Sequence, residues 1–299
     1  WKVFEQIEGK VGYRWYLWLM HSASVVYYRM APGRGAEVPK GHFAGLDREL
    51  TQVILVCDRY VAYKCLAKDN VVVVLAFCWA HVRRDFLDAA RAWPQLEAWM
   101  LSWVEDIGEL YLLNERRVQL WDDTASLAEQ CAEFMQHHEA LRAKLAHMQQ
   151  RRDSDLQGPL HFAQKKVLES LNNHWQGLTV FVEHPGVKMD NNTAERAVRN
   201  PVTGRKNYYG SGSVWSAHFA AMMFTVLQTV ILWRLNPHHW LYALLQACAD
   251  NGGATPSDLS PFLPWAMDEA RRTELSQPRP PAAPIATQPA GRPIVADTS

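Results

Sequence analysis

The sequence lacks the short signatures that assign many enzymes at sight. It contains no Gly-rich phosphate loop of the P-loop type, no HExxH and no GxSxG, so nucleotide hydrolases, zinc metalloproteases and nucleophile-elbow hydrolases have no marker here. Net charge is missing as well: 31 Lys and Arg balance 31 Asp and Glu. No global basic field announces nucleic acid, and any such contact must come from local clusters. Cysteine is scarce, with five residues at 57, 65, 78, 131 and 248. That odd number without framework spacing excludes a disulfide scaffold and fits a reducing compartment. The N-terminal WKVFEQIEGK has no signal-peptide h-region. The run VVVVLAFCWA meets His81, Arg83 and Arg84 too early for a membrane span of about 20 residues. The expectation is a soluble cytoplasmic protein.

What is abundant is core material. Of 299 residues 48% are hydrophobic, with 13 Trp and 10 Tyr, enough for one large or two ordinary domains. Aromatic and β-branched residues dominate YRWYLWLMH and VVYYRM, which read as an antiparallel hairpin turned at Ser22 to Ser24. After the Gly/Pro-rich APGRGAEVPKG come a strand Val53 to Cys57, a short helix Tyr60 to Lys68, and a continuously apolar stretch Val71 to Phe77 expected as a buried strand. Together these predict one mixed sheet.

From Trp79 to about Trp103 apolar residues recur at helical spacing, with a break required at Pro94. Helical composition continues over 105–119, 121–150 and 161–173. GLTVFVEHPGVKMDNN reads as a partly extended approach with a Pro-Gly turn, and helices resume at Thr193, Val214 and His238. This organisation predicts a sheet-forming part over 1–94, a helical insertion over 95–175, a second part of the same domain over 176–236, and a small C-terminal element over 237–272. A Pro/Ala-rich tail over 273–299 is expected to be disordered. No internal repeat is visible.

Two carboxylates stand out. Asp58 ends the strand VILVC, and Glu195 begins the helix that follows DNN. Hard oxygen ligands from a strand end and a facing helix are what a magnesium-dependent phosphoryl-transfer site uses. Each also has a plainer reading. Asp58 can cap a turn, and Asn192 with Glu195 has the spacing of an N-cap and N3 capping box. Arg196 and Arg199 share a helix side, and a turn at Gly204 is expected to release Arg205, Lys206 and Asn207, giving fixed cations suited to phosphates or simply a solvated face. Cys78 and His81 have a metal-like spacing without a second close pair, which argues against zinc. Burial of Cys78 and Trp79 is expected, with His81, Arg83 and Arg84 reaching a DNA backbone.

At CDRY, CWAHVRRDF, DNNTAERAVRNPVTGRKNYYGSG and HHWLYALLQACAD with FLPW, the sequence resembles transposases of insertion-sequence family 66. The resemblance implies an α/β fold with a ribonuclease-H-like mixed sheet, a helical insertion before the glutamate, and C-terminal helices. It implies a catalytic Asp, Asp, Glu set in which Asp58 is the second aspartate and Glu195 the glutamate, both ligands of two magnesium ions, with manganese as a substitute. It places Arg196, Arg199, Arg205, Lys206 and Asn207 against double-stranded DNA, beside the His81, Arg83 and Arg84 already read as DNA contacts, at transposon ends and target, in a homo-oligomer when active. The family's first aspartate lies in an Asp-Glu-Thr motif that would fall a few residues before Trp1, so the chain taken alone is expected to be truncated and inactive. The rival readings are a catalytically dead DNA-binding or interaction protein and a ribonuclease-H-like nuclease.

Overall fold

The computed structural model describes residues 1–10, 12–46 and 49–278; most of the tail expected to be disordered lies outside them. The chain separates into two units, one comprising 1–19 with 29–218 and the other 20–28 with 219–299. The first opens with an extended segment whose residue Lys2 bridges Arg14 in antiparallel sense. Strands β1 (Tyr16–His21) and β2 (Val26–Ala31) form a hairpin whose base belongs to the first unit and whose tip belongs to the second. Helix α1 (Glu37–Phe43) leads to β3 (Val53–Cys57), α2 (Val61–Asp69) and β4 (Val73–Phe77). β3 and β4 pair in parallel, in register from Val53 with Val73 to Cys57 with Phe77.

Among the described residues there are thus two two-stranded sheets, where the sequence predicts one mixed sheet. Val71 also departs from its reading as buried strand: it is 93% exposed, in the turn before β4.

α3 (Trp79–Ala92) buries Trp79, Val82, Phe86 and Ala90, the three- and four-residue spacing of one helix face. It stops before Pro94, which disfavours helical backbone at Trp93, whose φ is −135°. A single helix, α4 (Glu97–Gln119), follows. The stretch from 121 holds turns and one short 3-10 helix (Leu127–Glu129), not the expected α-helix, until α5 (Ala132–Gln157) begins. Its Asp and Ser side chains capture the local backbone: Asp122 accepts from Thr124 N at 2.9 Å, and Ser126 forms a capping box with Glu129. α6 (Phe162–Asn173) completes the helical segment.

The first part of the segment expected to be partly extended folds instead into the single turns α7 (Trp175–Leu178) and α8 (Val180–Glu183); the rest, 184–191, is non-helical and carries the expected turn at Pro185 and Gly186. A short apolar run with β-branched residues does not by itself distinguish strand from buried helix. Here Gly177 lies so close to β4 that a Cβ would sit 2.4 Å from the Phe77 ring.

These helices and β3–β4 share one core. Phe86 stacks on Trp103 at 5.6 Å, and Arg151 lies over Trp103 at 4.3 Å while pairing with Asp106. Full burial of each such aromatic contributes about 1.5–3 kcal/mol. Arg117 is entirely buried and donates to the carbonyls of Phe181 and Val182 at 2.9 Å, to Asn114 Oδ1 at 2.7 Å, and meets His138 Nδ1 at 3.0 Å. It ties α4 and α5 to α8.

Glu195 is carried by α9 (Asn192–Tyr208), which runs through Pro201 and also through Gly204, where a turn is expected from sequence. In the second unit, α10 (Val214–Leu232) crosses from the first and is followed by α11 (Pro237–Asp250) and α12 (Glu269–Ser276). α10 carries no Asp, Glu, Lys or Arg and is long and apolar enough to cross a membrane by composition. Its Thr225 and Thr229 hydroxyls accept from the N–H groups of Tyr28 at 2.8 Å and Val26 at 3.1 Å. Trp240 donates to Phe262 O at 2.9 Å within a core that includes Val230, Leu235 and Leu275.

Removing Arg117 leaves two buried carbonyls without donors, so Arg117→Met is expected to cost about 3–5 kcal/mol in chemical denaturation. Burial, and then the Arg117 charge, hold the His138 imidazole below its ordinary 6.5. The folded state therefore binds fewer protons than the unfolded state just below that value, and the contribution of neutral His138 is present above pH 6.5 and lost as pH falls below it. Between pH 7.5 and 5.5 the wild-type melting temperature should drop more than that of His138→Gln; equal drops would remove His138 from the account.

Candidate active site

The backbone at the start of α3 brings the two carboxylates together. Cys78 N–H donates to Cys57 O at 3.0 Å, and the next amide, Trp79 N–H, donates to Met189 O at 2.9 Å. The strand end bearing Asp58 and the loop that leads to Glu195 are thereby fixed on either side of one turn. Trp79, with no exposed surface, locks the crossing through its indole N–H to Leu178 O at 2.7 Å.

Asp58 and Glu195 line one cavity of about 370 Å³, with Tyr16 to Leu19 of β1 on its wall. Asp58 Oδ1 accepts from Tyr60 N–H at 3.0 Å, so the turn-capping role open to it from sequence is realised at the cavity itself. The second carboxylate oxygen is not used by that turn. Asp58 also acts on its surroundings: burial, and then the Asp58 charge, raise the Tyr63 phenol well above its ordinary range.

Glu195 does not cap its helix. Asn191 is the N-cap without a side-chain bond, and Asp190 Oδ1 accepts from Asn192 N–H at 3.0 Å. Asp190 thus takes the local capping role that spacing assigns to the Asn192 and Glu195 pair. The Glu195 carboxylate turns outward, 3.2 Å from His81 Nε2 and 4.0 Å from Arg84. Pairs this exposed contribute about 0–1 kcal/mol and serve to orient the carboxylate.

His81 and Arg84 therefore sit at Glu195, while Arg83 is exposed one helical position away. Arg196, Arg199, Lys206 and Asn207 are exposed along α9. Arg205 lines a second cavity of about 780 Å³ with Lys2, Arg14 and Trp1, and this cavity shares Tyr16, Leu17 and Val198 with the carboxylate cavity. The N-terminal segment forms part of its wall. Ser211 N–H donates to Lys2 O at 2.9 Å, and Gly210, at φ 152°, approaches so closely that a Cβ would lie 2.1 Å from that oxygen. The glycine in YYGSG is required by this crossing.

Cys78 and Trp79 are buried, as expected. Sequence reading missed Arg34, on the loop between β2 and α1, and Asn191; both line the carboxylate cavity. Asn191 Oδ1 is buried without a hydrogen-bond partner. No group of three His, Cys, Asp or Glu able to hold a metal occurs among the described residues. The oxygens present, from Asp58, Glu195 and Asn191, are hard donors of the kind magnesium or manganese takes, and they form a partial set.

The family model for the IS66 family of transposases matches residues 1–219. The chain belongs to that family. The match ends next to His218, where the first unit ends. Among curated relatives, the uncharacterized protein y4jD of Sinorhizobium fredii is 30% identical over 71% of this chain and 40% of its own length. From the same organism, uncharacterized proteins y4hP and y4qI are each 29% identical, over 83% and 82% of this chain and 44% and 43% of their own lengths. The chain thus spans less than half the length of these relatives. No solved structure matches it. Asp58, Glu195 and every basic residue considered above fall within the IS66 family match.

Geometry also selects the variants suited to probing the pair. Asp58→Asn keeps an Oδ1 acceptor for Tyr60 N–H, whereas Asp58→Ala leaves that donor without its partner. Thermal or urea unfolding should place Asp58→Asn and Glu195→Gln within about 0.5 kcal/mol of wild type and Asp58→Ala about 1 kcal/mol below.

Proposed function

We propose that this chain is the catalytic region of a DNA transposase that cuts phosphodiester bonds at transposon ends and joins the freed ends to target DNA. The observation that carries the reading is that Asp58 and Glu195 line one cavity in a chain of the IS66 family. A ribonuclease-H-like arrangement is supported by the parallel β3–β4 pair with an aspartate just past the end of β3, the neighbouring antiparallel hairpin, and a glutamate on a helix beside both.

The remaining carboxylate is proposed to come from residues that precede Trp1. Trp1 and Trp15 exchange backbone hydrogen bonds at 3.1 and 2.9 Å, and the antiparallel ladder, continued upstream, runs towards Tyr16 and Leu17 in the walls of both cavities.

Asp58 and Glu195 would hold divalent magnesium, whose chemistry is to activate a hydroxyl nucleophile and stabilise the leaving oxygen of an in-line displacement. The protein's own contribution is positional. His81 and Arg84 orient Glu195, the turn at Tyr60 orients Asp58, and the exposed cations of α9 bind phosphates and set the register of the duplex. Holding two transposon ends at once requires more than one copy, so assembly belongs to the proposal. The partial donor set favours a second reading for the chain taken alone, that of a DNA-binding segment without cleavage activity.

The test uses the complete protein, extended upstream of Trp1, in cleavage and strand-transfer assays with magnesium or manganese. Loss of an outer-shell partner of a metal ligand costs about 10–100-fold, so Asp58→Asn and Glu195→Gln should each lose at least about 100-fold while still binding DNA. Wild-type rates from either variant would reject its place in the site.

A further inference from the structure

We infer that Arg34 grips the phosphate group that is cut, and that its guanidinium is set in place by the same residue that fixes Asp58. Among the residues lining the carboxylate cavity, Arg34 is the sole cation. It is exposed, and among the described residues it makes no ion pair with a carboxylate. Its loop is tethered twice. Tyr60 OH donates to Arg34 O at 2.7 Å, and Trp18 Nε1 donates to Gly33 O at 3.3 Å. The guanidinium itself lies 5.5 Å from the Tyr60 ring centroid, within cation–π range.

Tyr60 therefore works at both ends: its N–H holds Asp58 Oδ1 and its ring and hydroxyl hold Arg34. A cation kept free of carboxylates beside a pair of carboxylates has a specific electrostatic use. A phosphodiester entering the cavity is repelled by Asp58 and Glu195 and needs a fixed positive group on another wall. A planar guanidinium can donate two parallel hydrogen bonds to its non-bridging oxygens. This inference rests on the reading of the cavity as a phosphodiester-cutting site, and it adds the residue that binds the reacting phosphate.

The experiment compares the complete protein with Arg34→Ala and Arg34→Lys on a duplex taken from the boundary of the genomic segment that encodes the chain. A second duplex carries a neutral methylphosphonate at the position where the wild-type protein cuts. Binding is measured without divalent ions, so the readout is independent of turnover. The wild type should prefer the charged duplex about tenfold. Arg34→Ala should lose that preference and lower the salt slope of binding by about 1. Arg34→Lys should keep part of the preference, because it retains charge but not the fork. The tether to Arg34 O is a backbone contact and survives both substitutions, so the loop stays anchored. Equal preference in Arg34→Ala and wild type, or no preference in the wild type, overturns the inference. Retained cleavage by Asp58→Asn and Glu195→Gln would instead overturn the reading of the cavity on which it rests.

Discussion

Two consecutive amides govern the architecture of this site. The N–H groups of Cys78 and Trp79 reach in opposite directions, to Cys57 O and Met189 O, and so bind a strand end and a distant loop to one helix start. Asp58 and Glu195 are 137 positions apart in sequence (195 − 58), yet each lies only a few residues from one of these bonds. Burial of the Trp79 ring makes the crossing rigid, since displacing it would expose the indole and leave Leu178 O without its donor. The helical segment between the carboxylates can be long because its ends are pinned here.

That helical segment is not a loose appendage. Arg59, next to Asp58, donates to Asp85 of α3 at 2.5 Å and to Ser170 of α6 at 2.9 Å. Arg117 holds α8 through two carbonyls, and Lys144 joins Asp106 and Glu109 between α4 and α5. Strain at the carboxylate cavity would therefore be felt through packed helices instead of being absorbed by a flexible loop.

Much of this was legible in the sequence where a local rule acts alone. VILVC followed by Asp gives β3 its observed bounds, and Pro94 marks the end of α3 because a proline disfavours helical backbone in the residue before it, although α9 continues through Pro201. The misreadings share a different cause. Asn192 and Glu195 have capping-box spacing, but Asp190, two residues upstream, supplies the capping oxygen and leaves Glu195 for the cavity. Gly204 and the 177–192 segment were expected to break or extend the chain. α9 runs through Gly204, with Tyr208 in the space a side chain would need, and 177–183 forms helical turns against Phe77, while 184–191 is non-helical and carries the expected turn at Pro185 and Gly186. Arg34 could not be found this way at all. PGRG announces a turn, but nothing local reveals that Tyr60 will tether that turn to the cavity lined by two carboxylates.

One contact in the second unit bears on how copies of the protein can meet. Strand β2 offers its outer backbone groups at Val26 and Tyr28 to the hydroxyls of Thr225 and Thr229, not to another strand. A ribbon whose rim is sealed by a helix's side chains offers no template for a further strand along that rim. Sheet extension across molecules is blocked at this point, and the hairpin is protected from edge-to-edge aggregation by two threonines one helical turn apart.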